Sequence, residues 1–189
     1  MLVITETNDM MENPLTKLVG IWKGEKGIDK APKPEIDENN PYYETLVITP
    51  VDIEIENAEE QELLAVRYHQ VVREKSNDKV SHDETGYWIW DKNENTIMNS
   101  FSIPRGVSVL AGGEIESAND ELKLDVSVKE NDDKWGIVES PFMKGKAKTL
   151  SFTRKYKISN NELIYTQETV LDIYGKTFPH TDENTLYKV

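Results

Sequence analysis

Two of the three histidines in this 189-residue chain stand beside carboxylates at short spacing. His180-Thr181-Asp182 sets an imidazole and a carboxylate two residues apart. If Pro179 to Leu186 is extended, His180, Asp182, Asn184 and Leu186 share one face. Such a set can offer His180 to a metal, or form a polar cluster that hydrogen-bonds backbone where a last strand closes a sheet. His82-Asp83-Glu84 has the same spacing and opens an aromatic stretch, Tyr87 to Trp90. The pair could share a metal with further ligands, or form a hydrogen-bonding clip at a strand start. Arg105 and Arg154 are the cations expected to look inward. A guanidinium in a lumen can hold a ligand carboxylate bidentately, or pair with one of the 35 acidic residues.

Other chemistries are excluded by residue type. There is no cysteine, which removes disulfides, thiol nucleophiles and cysteine-held zinc or iron–sulfur clusters. The His-x-Glu pattern therefore cannot belong to a zinc deaminase, which needs a cysteine pair. No serine nucleophile elbow, phosphate-binding glycine loop or dinucleotide fingerprint occurs. The net charge of −13 repels phosphate backbones and anionic lipid surfaces. Neither nucleic acid nor a membrane is an expected partner. No apolar run reaches spanning length, and the first 13 residues do not read as a secretory leader, so a cytoplasmic location is expected.

These residues need elements to position them. Residues 1–13 read as a tail and 14–189 as one domain. Pro14 to Val19 suits a short helix capped by Asn13. Gly20-Ile21-Trp22-Lys23-Gly24 follows, in which glycines let a strand bend and Trp22 can plug the closed end of a barrel. Ile28 to Asn40, with Pro32 and Pro34, reads as a long loop, either a portal or a surface excursion. From Pro41 onward the pattern has period two. Tyr42, Glu44, Leu46 and Ile48 alternate with Tyr43, Thr45, Val47 and Thr49. Leu63–Arg73, His82–Asp91, Thr96–Ile103, Val107–Ala111 and Glu162–Tyr174 also read as strands, and Glu183–Val189 as a short last one. Leu122, Leu124, Val126 and Val128 form one apolar face. Leu150, Phe152, Arg154, Tyr156 and Ile158 form another. About ten strands with one short N-terminal helix predict an all-β, up-and-down antiparallel barrel with a partly polar lumen.

Several short motifs occur in a fixed order: Gly20-x-Trp22-x-Gly24, Asn40-Pro41-Tyr42-x-Glu44, His82-x-Glu84-x-Gly86-Tyr87-Trp88-x-Trp90, Pro104-Arg105-Gly106, Ala111-Gly112-Gly113 and His180-Thr181-Asp182-Glu183-Asn184-Thr185-Leu186. Together they resemble the nitrobindin family, over about residues 14–189, and most resemble its longer bacterial branch. The resemblance implies a ten-stranded barrel of the fatty-acid-binding-protein (calycin) kind. The candidate ligand site takes Gly20, Trp22, Gly24, Tyr87, His180 and Asp182 from these motifs and adds Arg105 and Arg154 as the cations expected to look inward. Family members bind ferric heme b through one histidine near the C-terminus and act on nitric oxide and peroxynitrite. Two positions depart from that pattern. The family's Gly-x-Trp-x-Gly-x-Gly has Lys26 at its last glycine, with Gly27 next. Asp182 falls where the iron-binding histidine is expected, and His180 lies two residues earlier.

The expected function is therefore a non-enzymatic barrel that holds a small, mostly apolar or carboxylate-bearing ligand, without a cofactor. The alternative is a heme b protein with nitric oxide or peroxynitrite isomerase chemistry through His180. A plain interaction module is a third class that no motif specifically favours.

Overall fold

The period-two pattern is built as strands almost throughout. The computed structural model describes residues 13–32, 38–52, 55–57 and 60–189. The predicted tail, apart from Asn13, lies outside the described residues. Among the described residues the strands are β1 (Gly20–Ala31), β2 (Glu38–Pro50), β3 (Ile55–Asn57), β4 (Gln61–Glu74), β5 (Val80–Asp91), β6 (Thr96–Ile103), β7 (Val107–Ala118), β8 (Glu121–Lys129), β9 (Gly136–Glu139), β10 (Ala147–Ser159), β11 (Glu162–Ile173) and β12 (Lys176–Lys188). Ten of them form a closed antiparallel barrel in chain order; β12 returns to β1, while β3 and β9 are short additions on β4 and β7. Each long strand pairs with its sequence neighbour, as an up-and-down barrel requires. No helix among the described residues is long and apolar enough to cross a membrane.

One end of the barrel is filled. Pro14–Leu18 is a single 3-10 turn capped by the Asn13 side chain on the Leu15 N–H. It brings Leu15 and Leu18 into the core at 0% exposure. Trp22 is equally buried, and its indole N–H donates to the Leu18 carbonyl at 2.7 Å. Leu46, Val66, Trp88, Ile97, Leu122 and Ile158 pack in the same core. That satisfied, fully buried Trp is the plug expected from the sequence.

Four expectations need correction. Residues 28–31 and 38–40 are strand, not loop, because Asp29 pairs with Asn40 and Lys30 with Asn39 in the β1–β2 ladder. Ladder pairing outweighs the weak strand propensity of charged residues here. The rest of that segment, 33–37, lies outside the described residues. The last strand starts at Lys176, so His180 lies well inside it. A second helix, α1 (Pro141–Lys146), exists; Ser140 caps it and Pro141 opens it, a readable signal that the strand pattern masked. Finally, β10 changes register between Thr149 and Ser151, so buried Thr149 takes the inward turn that Leu150 was expected to take.

The displaced glycine of the opening motif is explained by a bulge. Register in both ladders of β1 shifts by one residue, between Gly24 and Gly27 on the β2 side. Glu25 and Lys26 both face solvent, and Gly27 returns to the inner face beside Gly24. A Cβ on Gly27 would lie 2.1 Å from the Tyr42 ring, so only glycine fits beneath that ring.

A polar belt crosses the middle of the barrel. Arg154, at 1% exposure, pairs with Glu84, Nη1 to Oε1 at 2.8 Å and Nη2 to Oε2 at 3.1 Å. Its remaining donors reach Asn99, Tyr68 and Gln167. Phe101 and Phe152, in contact with each other at 5.0 Å between ring centroids, lie side by side 4.9 and 5.1 Å from the guanidinium. Burial would raise the Glu84 carboxyl. The Arg154 charge and hydrogen bonds from His82 and Arg154 outweigh it and bring the group down to about 2. Glu44 is the opposite case. It is buried with donors from Gln70, Tyr165 and Asn184, and burial outweighs those donors and raises its carboxyl.

Gly27→Ala is expected to destabilise the protein by about 1–3 kcal/mol through overpacking. Urea denaturation should show this cost shrinking when Tyr42→Leu is combined with it, because the clash is with that ring. Glu84 contributes stability that is complete above its unfolded value near 4.5 and is lost as pH falls toward 2. Glu84→Gln should flatten that acid limb. Arg154→Met should cost about 3–5 kcal/mol near neutral pH, because an unpaired buried charge remains. Glu44 has the reverse sign: its raised value removes stability as pH climbs above 4.5. Relative to the parent, Glu44→Gln should therefore gain stability between pH 4.5 and neutrality in the same denaturation series.

Candidate functional site

Above the polar belt the barrel is open. A cavity of about 400 Å³ is lined from nearly every strand end at this mouth. One side is apolar: Phe101 and Ile103 from β6, Val107 and Val109 from β7, Met143 from α1, Phe152 from β10 and Leu171 from β11. The other side is polar: Asp29 from β1, Gln70 from β4, His82 and Glu84 from β5, Gln167 from β11, and His180 and Asp182 from β12. This combination of apolar wall and few convergent polar groups is the usual make-up of a small-molecule site.

The positions follow from strand alternation. On β12, His180 and Asp182 face the cavity, and Asn184 and Leu186 continue the same face into the buried interior. Asp29 reaches the inner face because the bulge after Gly24 changes the phase of β1. In the β1–β12 ladder it lies directly opposite Asp182. The His180 Nε2–H donates to Asp29 Oδ1 at 2.6 Å, and the same nitrogen lies 3.8 Å from Asp182 Oδ2. Burial works against a charged His180. The Asp29 hydrogen bond and the Asp182 charge outweigh it, so the imidazole is raised above its ordinary value. Asp182 is raised to about 6, first by burial and then by the nearby Asp29 charge, against the opposing pull of His180. The group is thus a crowded set of two carboxylates around one imidazole.

His82 and Glu84 face the same side of β5, as their spacing requires, and bond to each other, Nε2–H to Oε2 at 3.3 Å. Glu84 is held by Arg154 on both of its oxygens, so this pair acts as a clip joined to the belt. Gln70 donates its amide N–H to Glu44 at 2.7 Å. Its Oε1 is buried with no hydrogen-bond partner, although the residue lines the cavity. A buried acceptor left open beside a cavity calls for a donor.

Besides His82 and Glu84, four of the eight candidate ligand-site residues lie in or under this cavity. Arg105, His180 and Asp182 line it, and Arg154 sits beneath it, joined to the lining residues Glu84 and Gln167. Arg105 comes from the exposed turn between β6 and β7. The other four are elsewhere. Gly20, Trp22 and Gly24 sit toward the filled end of β1, where Trp22 pairs with Lys188 and Leu46. Tyr87 is 41% exposed on the outer face of β5. Among the cavity residues that escaped the sequence reading are Asp29, hidden in an apparent loop, and Gln70 and Gln167, polar residues at inward positions of strands. Counting alternation onward from Gly27 would have found Asp29.

A profile of the THAP4-like, heme-binding beta-barrel domain matches residues 12–188. Among solved structures, the crystal structure of Rv2717c from M. tuberculosis is similar with a TM-score of 0.72 at 22% identity, covering 93% of this chain and 94% of that one. At that identity the likeness speaks for the fold. A putative outer membrane protein from Bacteroides fragilis aligns over 94% of this chain and 100% of its own, but at 12% identity and a TM-score of 0.20. That second likeness carries no argument. No curated protein matches the sequence significantly. With its profile match covering nearly the whole length and a closed ten-stranded barrel beneath it, the chain belongs to the THAP4-like heme-binding β-barrel, or nitrobindin, family.

Proposed function

We propose that this member of the family uses the barrel mouth to hold one small, mostly apolar molecule without transforming it. The observation that carries the reading is the two-sided cavity, whose polar side includes Gln70 with its Oε1 buried and without a hydrogen-bond partner. An apolar body fits against Phe101, Phe152, Val109 and Leu171, and an O–H or N–H donor on the ligand would satisfy Gln70. Arg154 is not available to a ligand carboxylate, because Glu84, Tyr68, Asn99 and Gln167 occupy its donors. Arg105 at the rim is the cation left for that task.

Heme b is the second reading, favoured by the family and by the placing of His180 on the cavity wall. The donor set fits axial ligation poorly. Both imidazoles that line the cavity turn Nε2 onto a carboxylate, His180 onto Asp29 and His82 onto Glu84. Iron would have to displace one of those bonds, and a carboxylate such as Asp182 is a weak substitute for imidazole.

Binding of 8-anilinonaphthalene-1-sulfonate, read by fluorescence, should saturate at one site. Val109→Trp, which fills the apolar side, should reduce the affinity at least about tenfold, the equivalent of one lost apolar anchor of about 1.4 kcal/mol. A parallel hemin titration is expected to give no specific Soret band. A sharp band that disappears in His180→Ala would instead put the heme reading first, and unchanged dye binding in Val109→Trp would remove the cavity from consideration.

A further inference from the structure

We propose that Asp29, His180 and Asp182 form a divalent transition-metal site on the cavity wall, with an open coordination position facing the lumen. This goes beyond apolar ligand binding and does not depend on it. One ligand atom from each residue lies within 4.8 Å of the other two. His180 Nε2 is 2.6 Å from Asp29 Oδ1 and 3.8 Å from Asp182 Oδ2. Two atoms bound to one zinc-sized ion at about 2.0–2.1 Å in a tetrahedral arrangement lie about 3.3 Å apart. The first distance must open and the second close, each by less than about 1 Å, which side-chain rotation supplies.

The site is built rather than a chance surface cluster. Asp29 and Asp182 are directly paired in the β1–β12 ladder, and His180 is two residues from Asp182 on the same face. The strands that hold them are part of a closed barrel, so the three cannot drift apart independently. Gln167 already donates to Asp182 Oδ2 at 3.4 Å, and Asn40 to Asp29 Oδ2 at 3.5 Å, which are outer contacts of the kind that orient ligating carboxylates. A second and separate observation points to an occupant of the cavity: the Gln70 oxygen, 96% of whose residue surface is covered, has no donor there. Gln70 lines the same cavity as the three ligands, so a donor held in that cavity would answer the acceptor.

One imidazole with two carboxylates suits zinc, iron(II), cobalt(II) or manganese(II) rather than a soft-metal or calcium site. On binding, the ion displaces the proton that His180 Nε2 now shares with Asp29, and that proton leaves to solvent.

The test uses the whole protein, stripped of metal with a chelator and titrated with cobalt(II), with visible d–d absorption as the readout. One equivalent should bind and be displaced by zinc. Asp29→Asn, Asp182→Asn and His180→Ala should each weaken binding at least about tenfold, since even outer-shell changes cost that much. His69→Gln is the control, because His69 pairs with Asp83 on the outer surface at 53% exposure. Should the variants fail to fold, nitrogen-15 spectra of the histidine rings in the parent answer the same question. Zinc should shift the His180 ring and leave His69 unmoved. Absence of binding, binding kept in the three variants, or loss confined to His69→Gln would overturn the proposal. The dye experiment reads a different wall of the cavity, so the two readings fail separately.

Discussion

The ion pair between Arg154 and Glu84 sets the terms for the rest of the barrel. A guanidinium at this depth is tolerated only if its N–H groups and its charge are fully answered. The answers to Arg154 on β10 come from four other strands: Tyr68 on β4, Glu84 on β5, Asn99 on β6 and Gln167 on β11. A one-residue slip in any of them would turn a partner to the outer face and strand the charge. The belt thus enforces register as well as charge balance. Phe101 and Phe152, which pack together against the guanidinium, also line the cavity, so the floor of the site and the aromatic cover of the ion pair are the same rings.

The belt divides the lumen into two chemically different halves. Below it, Trp22, Leu15 and Leu18 fill the space and make it a packed core. Above it, side chains on the β6, β7 and β10 side are apolar while those on β1, β5 and β12 carry charge. The asymmetry matters more than the volume. A molecule entering this mouth meets a greasy wall on one side and a tightly paired set of carboxylates and imidazoles on the other. Membership of a heme-binding family names a scaffold; what the scaffold holds is decided by those side chains.

Much of this was legible in the chain. Alternation located the strands, the apolar Leu122–Val128 face turned inward, and of the two alternating sets on β2 the Tyr42–Ile48 set is the buried one. The shared face of His180, Asp182, Asn184 and Leu186 followed from period two alone. What escaped was long-range or irregular. The pairing of Asp29 with Asn40 lies in a stretch whose prolines and charges argue locally for loop, and only the ladder with β2 and β12 makes it strand. The bulge at Glu25 and Lys26 cannot be told from a one-residue insertion without the partner strands. Likewise the two arginines look alike in sequence, and only the folded chain reveals that one is enclosed by an ion pair while the other sits on an exposed turn.

The pairing of β1 with β12 joins the first and last strands of the barrel, and this has a kinetic side. Every other long-strand contact is between sequence neighbours and can form as a travelling series of hairpins. The seam cannot, since Trp22 must meet Lys188 and Asp29 must meet Asp182 across more than 150 residues. Closing so long a loop carries a large entropic cost before any seam contact rewards it, which places it late in folding. Before closure, β1 and β12 are open edges of a curved sheet, vulnerable to pairing with another chain. On a ribosome the barrel would remain an unsealed ribbon until its final strand emerged. The cluster of Asp29, His180 and Asp182 straddles that seam, so it marks the last part of the molecule to become native and reports directly on whether the barrel has shut.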